Sequence, residues 1–159
     1  MFTPKVLLVN DDGASLLALA SLLAQQEQGY EVVTARSGEE ALRHVLKHDF
    51  AVILLDVSMP GMDGFETAEA IHSHPRSAAV PIIFVTAHYS DEMHRLKAYQ
   101  RGAVDYLFTP IIPQILQTKV AVFVELAKKN LQLQHQKLEL EKLNQELQEQ
   151  RRQDLEHLN

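Results

Sequence analysis

The sequence predicts an α/β protein with five strands in a doubly wound parallel sheet and one extended carboxy-terminal α-helix. Three observations predict it. Val52-Ile53-Leu54-Leu55 and Ile82-Ile83-Phe84-Val85 are unbroken apolar runs, the pattern of strands covered on both faces. Amphipathic stretches separate such runs up to Pro113, so strands alternate with helices, and right-handed crossovers follow. Beyond Pro113 there is no glycine or proline, and Gln, Glu, Lys and Leu dominate, which is the composition of a long helix.

Taken in order, the first strand is expected at Lys5–Val9 and a helix at Ala14–Gln26. A second strand is expected at Glu31–Ala35. Ser37 precedes Glu39 and Glu40, a capped start for a helix over Gly38–Lys47. The third strand is expected at Ala51–Leu55, followed by a helix at Gly64–His72. The fourth is expected at Pro81–Val85. Ser90 before Asp91 and Glu92 marks a helix over Asp91–Arg101, and Val104–Leu107 is the fifth strand. From Gln114 one unbroken helix of about 40 residues is expected, roughly 60 Å long at 1.5 Å per residue. Ile115, Leu116, Val120, Phe123 and Val124 are its expected sheet-facing residues. These boundaries divide the chain into an α/β domain over 1–125 and a helical extension over 126–159.

Composition removes several function classes. The chain has 159 residues, 46% hydrophobic and 23% charged, a globular balance rather than a disordered one. It has no cysteine, which excludes disulfides, thiolate zinc sites and cysteine nucleophiles. The net charge of −6 resides in the first 127 residues, because residues 128–159 carry 6 basic and 6 acidic side chains. An acidic body and a balanced tail are a poor match for nucleic acid, whose binding rests on phosphate neutralisation. No apolar run approaches the roughly 18 residues of a membrane span, and no signal peptide is apparent at Met1–Lys5. Neither nucleic acid nor a membrane is therefore an expected partner, and the expected compartment is the cytoplasm.

In doubly wound sheets ligands sit at the carboxyl ends of strands, at a topological switch point. Those ends carry Asn10-Asp11-Asp12-Gly13, Asp56-Val57-Ser58-Met59-Pro60-Gly61-Met62-Asp63-Gly64, Thr86-Ala87-His88 and Phe108-Thr109-Pro110. If strands one, three and four are close neighbours, Asp11, Asp12 and Asp56 converge. Converging carboxylates repel unless neutralised, and Mg²⁺ favours carboxylates, a backbone carbonyl and retained waters. A carboxylate beside Mg²⁺ can attack a phosphoryl group to give an acyl phosphate, with Thr86 placed to hydrogen-bond a phosphoryl oxygen. Each motif alone has a blander reading. An Asp-Asp pair after a strand is ordinarily turn chemistry or a helix cap, and a threonine ending a strand is ordinarily structural. The ordered set, each member at a strand's carboxyl end, is what points to chemistry.

This set resembles the receiver domain of two-component response regulators, a flavodoxin-like, CheY-like fold, over roughly residues 4–125. By this resemblance Asp56 is the phosphoacceptor, and Met59-Pro60-Gly61-Met62-Asp63-Gly64 is the loop that follows it. Asp12, Asp56 and the backbone carbonyl of Ser58 would hold Mg²⁺, with Asp11 acting through a bound water. Thr86-Ala87 falls on the switch threonine and its small neighbour. Gly102-Ala103-Val104-Asp105-Tyr106 fits the approach to the fifth strand, with Tyr106 at the switch aromatic. The phosphoryl donor would be a phosphohistidine on a sensor histidine kinase or a phosphotransfer protein. Phosphorylation would draw Thr86 inward and let Tyr106 follow. The family usually has lysine before Pro110, and here that residue is Thr109, which offers a hydroxyl but no charge. No other lysine is placed by the motif to replace it, Lys5, Lys97 and Lys119 included. Phosphorylation with weakened coupling to the switch is the expectation, and a phosphorylation-independent dimerisation scaffold is the alternative.

The tail carries Leu126, Leu133, Leu140 and Leu147 at intervals of seven, with Leu143 on a second seam. Leu155 and Leu158 continue after a one-residue phase slip, as in a stutter. Lys137 and Asn144 sit at seam or flanking positions that set register. The plain alternative is a solvated charged helix. A parallel coiled-coil homodimer, relaying a signal to an output domain beyond this chain, is the sharper expectation.

Other chemistries fit less well. His72 and His74 are two residues apart and face different sides of a helix, and His88 and His94 read as surface residues. No Gly-rich phosphate loop or serine elbow occurs. An aspartate-nucleophile phosphohydrolase needs a second aspartate two residues after the first, where Ser58 stands. The chain therefore reads as a signalling part rather than a turnover enzyme.

Overall fold

A computed structural model describes residues 3–24, 29–86 and 103–158. The chain divides into two compact units, Met1–Glu125 and Leu126–Asn159.

In the first unit, strands β1 (Lys5–Val9), β2 (Glu31–Ala35), β3 (Val52–Asp56), β4 (Ile82–Thr86) and β5 (Ala103–Phe108) form one sheet. Its order is β2-β1-β3-β4-β5, and every neighbouring pair is parallel. Helices α1 (Gly13–Ala24), α2 (Gly38–Lys47) and α3 (Gly64–Ser73) provide crossovers, and a 3₁₀ turn at Pro75–Ser77 follows α3. The helix expected at Asp91–Arg101, with its Ser90 cap, His88, His94 and Lys97, lies outside the described residues. The long helix α4 runs Pro113–His157, 45 residues.

The unbroken apolar runs are explained by burial on both faces. All five residues of β4 and the first four of β3 are buried. Leu7, Val9, Ile53, Leu55, Ile82 and Phe84 point to one face and join Ala41, Val45, Phe65, Ala68 and Ile71 of α2 and α3. Phe65 and Phe84 meet with ring centroids 4.9 Å apart. Val6, Leu8, Leu54 and Ile83, alternating with these, are equally buried. Leu16, Leu19 and Leu23 of α1 and Leu116, Val120 and Val124 of α4 are buried as well. Each fully buried Leu, Ile or Phe side chain contributes about 1.5–3 kcal/mol. Gln117 Nε2 donates to the Leu22 carbonyl at 2.8 Å and ties α4 to α1. Of the five residues expected to face the sheet, Ile115 is instead 42% exposed and Phe123 is half-buried. The buried set is spaced by four, so Ile115 falls one residue off the buried stripe.

Helix starts follow local chemistry. Ser37 caps α2 by accepting from Glu40 N at 3.1 Å. Asp63 and Glu66 form a reciprocal capping box on α3, which satisfies two otherwise orphaned donors. Arg76 donates to the Leu46 and Lys47 carbonyls at 3.0 and 3.4 Å, closing the end of α2.

In the second unit, α4 exposes Leu133, Leu140, Leu143, Leu147 and Leu155. Its surface pairs are local, such as Arg152 with Glu149 at 2.6 Å and His135 with Glu139 at 3.4 Å. Among the described residues, no helix is long and apolar enough to cross a membrane.

Candidate functional site

The order β2-β1-β3 places the switch point between β1 and β3. Asp11 and Asp12 leave β1 and Asp56 ends β3, so all three lie at the same carboxyl edge. Asp56 pairs with Val85 across the sheet. Thr86, buried, ends the neighbouring β4. Thr109 follows β5, with its N–H on the Thr86 carbonyl at 2.9 Å, and the Thr109–Pro110 bond is cis.

Asp56 is half-buried, and its Oδ1 accepts from Ser58 N at 3.3 Å. The following loop turns back at once. Gly61 has φ +73°, a conformation that suits glycine. Gly64 then lies against the Asp56 backbone: a Cβ there would stand 2.3 Å from the Asp56 carbonyl oxygen and 2.6 Å from Val57 Cα. Glycine is therefore required where α3 starts. The capping box at Asp63 fixes the same point.

Asp12 occupies the N-cap of α1. Its Oδ1 accepts from Ala14 N at 3.2 Å, and its Oδ2 from the Ser15 hydroxyl at 2.7 Å. These two bonds, the Ser15 hydroxyl first, hold its pKa below the ordinary 3.8 against the opposing effect of burial, with Arg36 adding a smaller pull in the same direction. The helix-cap reading of the Asp-Asp pair is thus realised at Asp12. Among the described residues, no three acidic or imidazole groups converge to hold a metal ion. The donors are hard oxygens suited to Mg²⁺, but with Asp12 turned to the helix they do not fit an ion as arranged.

Arg36, unremarked in the sequence, stands at this edge. Its Nε and Nη2 donate to the Asp11 carbonyl at 3.1 and 2.9 Å, and its guanidinium lies over Gly13, 2.9 Å from where a Cβ would be. Its own N–H donates to Glu40 at 2.8 Å. Of the candidate substitutes for the missing lysine, Lys5 pairs with Glu31 at 3.3 Å at the opposite edge of the sheet. Lys119 is paired with Asp105. Tyr106 is 44% exposed and meets Phe108 edge-on, with centroids 4.9 Å apart.

His72 and His74 separate as their spacing requires. His72 is buried with Nε2 at 2.9 Å from the Val80 carbonyl, whereas exposed His74 accepts from Arg76 N at 3.3 Å.

Over residues 6–121 the sequence matches the response regulator receiver domain. The chain belongs to this family. It is a receiver domain of two-component systems with a CheY-like fold and a long helix at its carboxyl end. The receiver is 33% identical over 115 residues to a probable cyclic di-GMP phosphodiesterase of Vibrio cholerae, spanning 72% of this chain and 25% of that protein. It is 37% identical over 130 residues to the sensor protein GacS of Pseudomonas syringae, spanning 80% of this chain and 14% of that one. The chain thus spans a quarter or less of these two relatives. The structure of the chemotaxis protein CheY4 of Vibrio cholerae superposes with a TM-score of 0.66 at 34% identity, covering 74% of this chain and 96% of that one.

Proposed function

We propose that this receiver accepts a phosphoryl group on Asp56 and relays the change through its carboxy-terminal helix. The observation that carries the reading is the common carboxyl edge of β1, β3 and β4, with Asp11 and Asp12, Asp56 and Thr86 at successive strand ends. The donor is a phosphohistidine of a sensor histidine kinase or a phosphotransfer protein. An Asp56 carboxylate oxygen bonds to phosphorus as the phosphorus–nitrogen bond breaks, and the leaving imidazole keeps the electron pair and takes a proton. Water later cleaves the acyl phosphate, returning the carboxylate and inorganic phosphate. Thr86 contacts the phosphoryl oxygens, and Tyr106 follows it inward.

In this reading Asp12, Asp56 and the Ser58 carbonyl would hold Mg²⁺, with Asp11 acting through a bound water, an arrangement that Asp12 in its helix cap does not itself display. Residues 1–125 form the receiver, and 126–159 form a coiled-coil helix. The exposed leucines at 126, 133, 140 and 147 gain from association, because a long polar helix in isolation is marginal. A homodimer through this helix, leading to an output domain in the cytoplasm, is the assembly proposed.

Intact mass after incubation with Mg²⁺ and acetyl phosphate, with Asp56→Asn alongside, tests the reading. One labile adduct on the parent and none on the variant supports it. A phosphorylation-independent scaffold is the second reading, favoured by Thr109 in place of lysine and by the capping role of Asp12. No adduct on the parent, from acetyl phosphate or a kinase, together with an intact dimer by sedimentation, would establish the scaffold.

A further inference from the structure

Within the second unit, α4 carries a surface groove lined by Lys137, Leu140, Glu141, Leu143, Asn144 and Leu147. Its leucines are 70%, 53% and 55% exposed in chain order. The lining is two overlapping quartets. Lys137, Leu140, Glu141 and Asn144 stand at i, i+3, i+4 and i+7, and Leu140, Leu143, Asn144 and Leu147 repeat that spacing. Four residues so spaced enclose one hole on a helix surface, the receptacle for a single side chain of a facing helix. The seam running through these holes alternates in character. Leu126, Leu133, Leu140 and Leu147 recur every seven residues, and four residues after each stands a polar one: Asn130, Lys137, Asn144 and Arg151.

A second copy satisfies both layers in one orientation. In a parallel pair like positions face each other, so leucine meets leucine and asparagine meets asparagine, whose amide both donates and accepts. In an antiparallel pair each leucine layer faces a polar layer, and the asparagine amides are desolvated against leucine without a partner. Charge does not favour a different partner. Residues 128–159 carry 6 basic and 6 acidic side chains. Gln134, Gln136, Gln148 and Gln150 fill flanking positions where charges ordinarily set partner choice. The stem of Lys137 is long enough to carry its ammonium out to water.

We infer that this groove receives Leu140 and Asn144 of a second copy, and that Asn130 and Asn144, each facing its own counterpart, fix the pair as parallel and unstaggered. This rests on the homodimer proposed above. Two-fold symmetry sets the stagger: a parallel symmetric pair has none, whereas a slip of one heptad leaves unpaired leucines at both ends to recruit further copies.

The lack of cysteine makes the test direct. Leu126→Cys, Leu147→Cys and the outward-facing control Lys142→Cys are made in the whole chain and equilibrated in a glutathione redox buffer. A parallel unstaggered pair puts each seam position opposite itself, within disulfide reach. Both leucine variants should therefore form interchain disulfides, and the control should not. An antiparallel pair would hold each seam position far from its counterpart. Adding Asn130→Leu and Asn144→Leu to each leucine variant should tighten the dimer about tenfold per asparagine, the scale of one polar group's burial. The disulfide fraction should nevertheless fall to about half, as antiparallel pairs become equally populated. An undiminished disulfide fraction in that variant would overturn the role given to the asparagines. A dimer by sedimentation in which neither leucine variant cross-links would overturn this inference and leave the homodimer standing. A monomeric parent at every concentration would overturn both.

Discussion

Replacing Gly64 by alanine should damage this receiver more than replacing Gly61, three residues earlier. A Cβ on Gly64 falls 2.3 Å from the Asp56 carbonyl oxygen, 2.6 Å from Val57 Cα and 2.9 Å from the Asp56 carbonyl carbon. Non-bonded carbons rest about 3.5–4.0 Å apart, so α3 must withdraw from β3 by about 1 Å. The obstacles are backbone atoms, and no rotamer relieves them. Overpacking of this kind costs about 1–3 kcal/mol, and the upper end applies where neither side can yield. The withdrawal also stretches the Gly64 N to Val57 O bond of 3.1 Å, worth about 1 kcal/mol. Alanine's better helix propensity returns less than about 1 kcal/mol. The net loss should be about 2–3 kcal/mol. Around Gly61 nothing lies within 4 Å, so alanine there meets only the positive φ, at about 1–2 kcal/mol. Urea unfolding should show the Gly64→Ala midpoint lower by about 1–2 M, taking a slope of about 1–3 kcal/mol/M. Phosphorylation from acetyl phosphate should fall as well, because the displaced peptide carries Asp56. A Gly64→Ala variant as stable as Gly61→Ala would refute the close-packing argument.

Three further outcomes are expected. Asp63→Ala should lose the side-chain half of the capping box at α3, the bond from Glu66 N, and about 1 kcal/mol of stability, with Asp63→Ser recovering most of it, as read by chemical denaturation. Arg76→Ala should lose about 0.5–1 kcal/mol, because Arg76 is partly exposed while closing α2 and pairing with Asp49 at 3.2 Å; Arg76→Lys, lacking the planar fork, should not restore it. The folded-state pKa of Asp12 lies below its ordinary 3.8, so its contribution is complete above that value and is lost as pH falls through the folded value. Thermal unfolding below about pH 4 should therefore be steeper for the parent than for Asp12→Asn, whose side chain does not titrate.

Much of the fold is legible because its signals are local. Lys5–Val9, Glu31–Ala35 and Gly38–Lys47 form with the boundaries their residues predict, since an apolar run or a serine cap defines each. Strands β3 and β4 end one residue later than their apolar runs, at Asp56 and Thr86. The backbones of these polar residues still take part in the ladder, opposite Val85 and Phe108. Apolarity marks burial, whereas strand ends are set by hydrogen bonding, and the two differ where a strand carries chemistry. Arg36 was not legible. Its place at the acidic edge depends on β2 lying beside β1, which brings it to a carbonyl 25 residues away. Asp12 shows the reverse: a cap and a candidate metal ligand have one sequence signature, and the structure exhibits the cap.

The threonine at 109 alters the charge balance of the whole edge. Asp11, Asp12 and Asp56 bring three carboxylates there, while Lys5 and Lys119 are engaged with Glu31 and Asp105. The Arg36 guanidinium is spent on the Asp11 carbonyl. Any cation that binds at this edge relieves repulsion among its carboxylates. A lysine at this position would add fixed positive charge and do two opposed things. It would weaken Mg²⁺ binding by like-charge repulsion, and it would give the phosphorylated state a charge-assisted partner worth about 1.5–3 kcal/mol. Thr109→Lys should therefore raise the Mg²⁺ concentration needed for half-maximal binding. It should also enlarge the phosphorylation-dependent change in amide exchange at Thr86 and Tyr106. Unchanged exchange at both residues in the phosphorylated variant would show that the proposed switch does not depend on charge at that position.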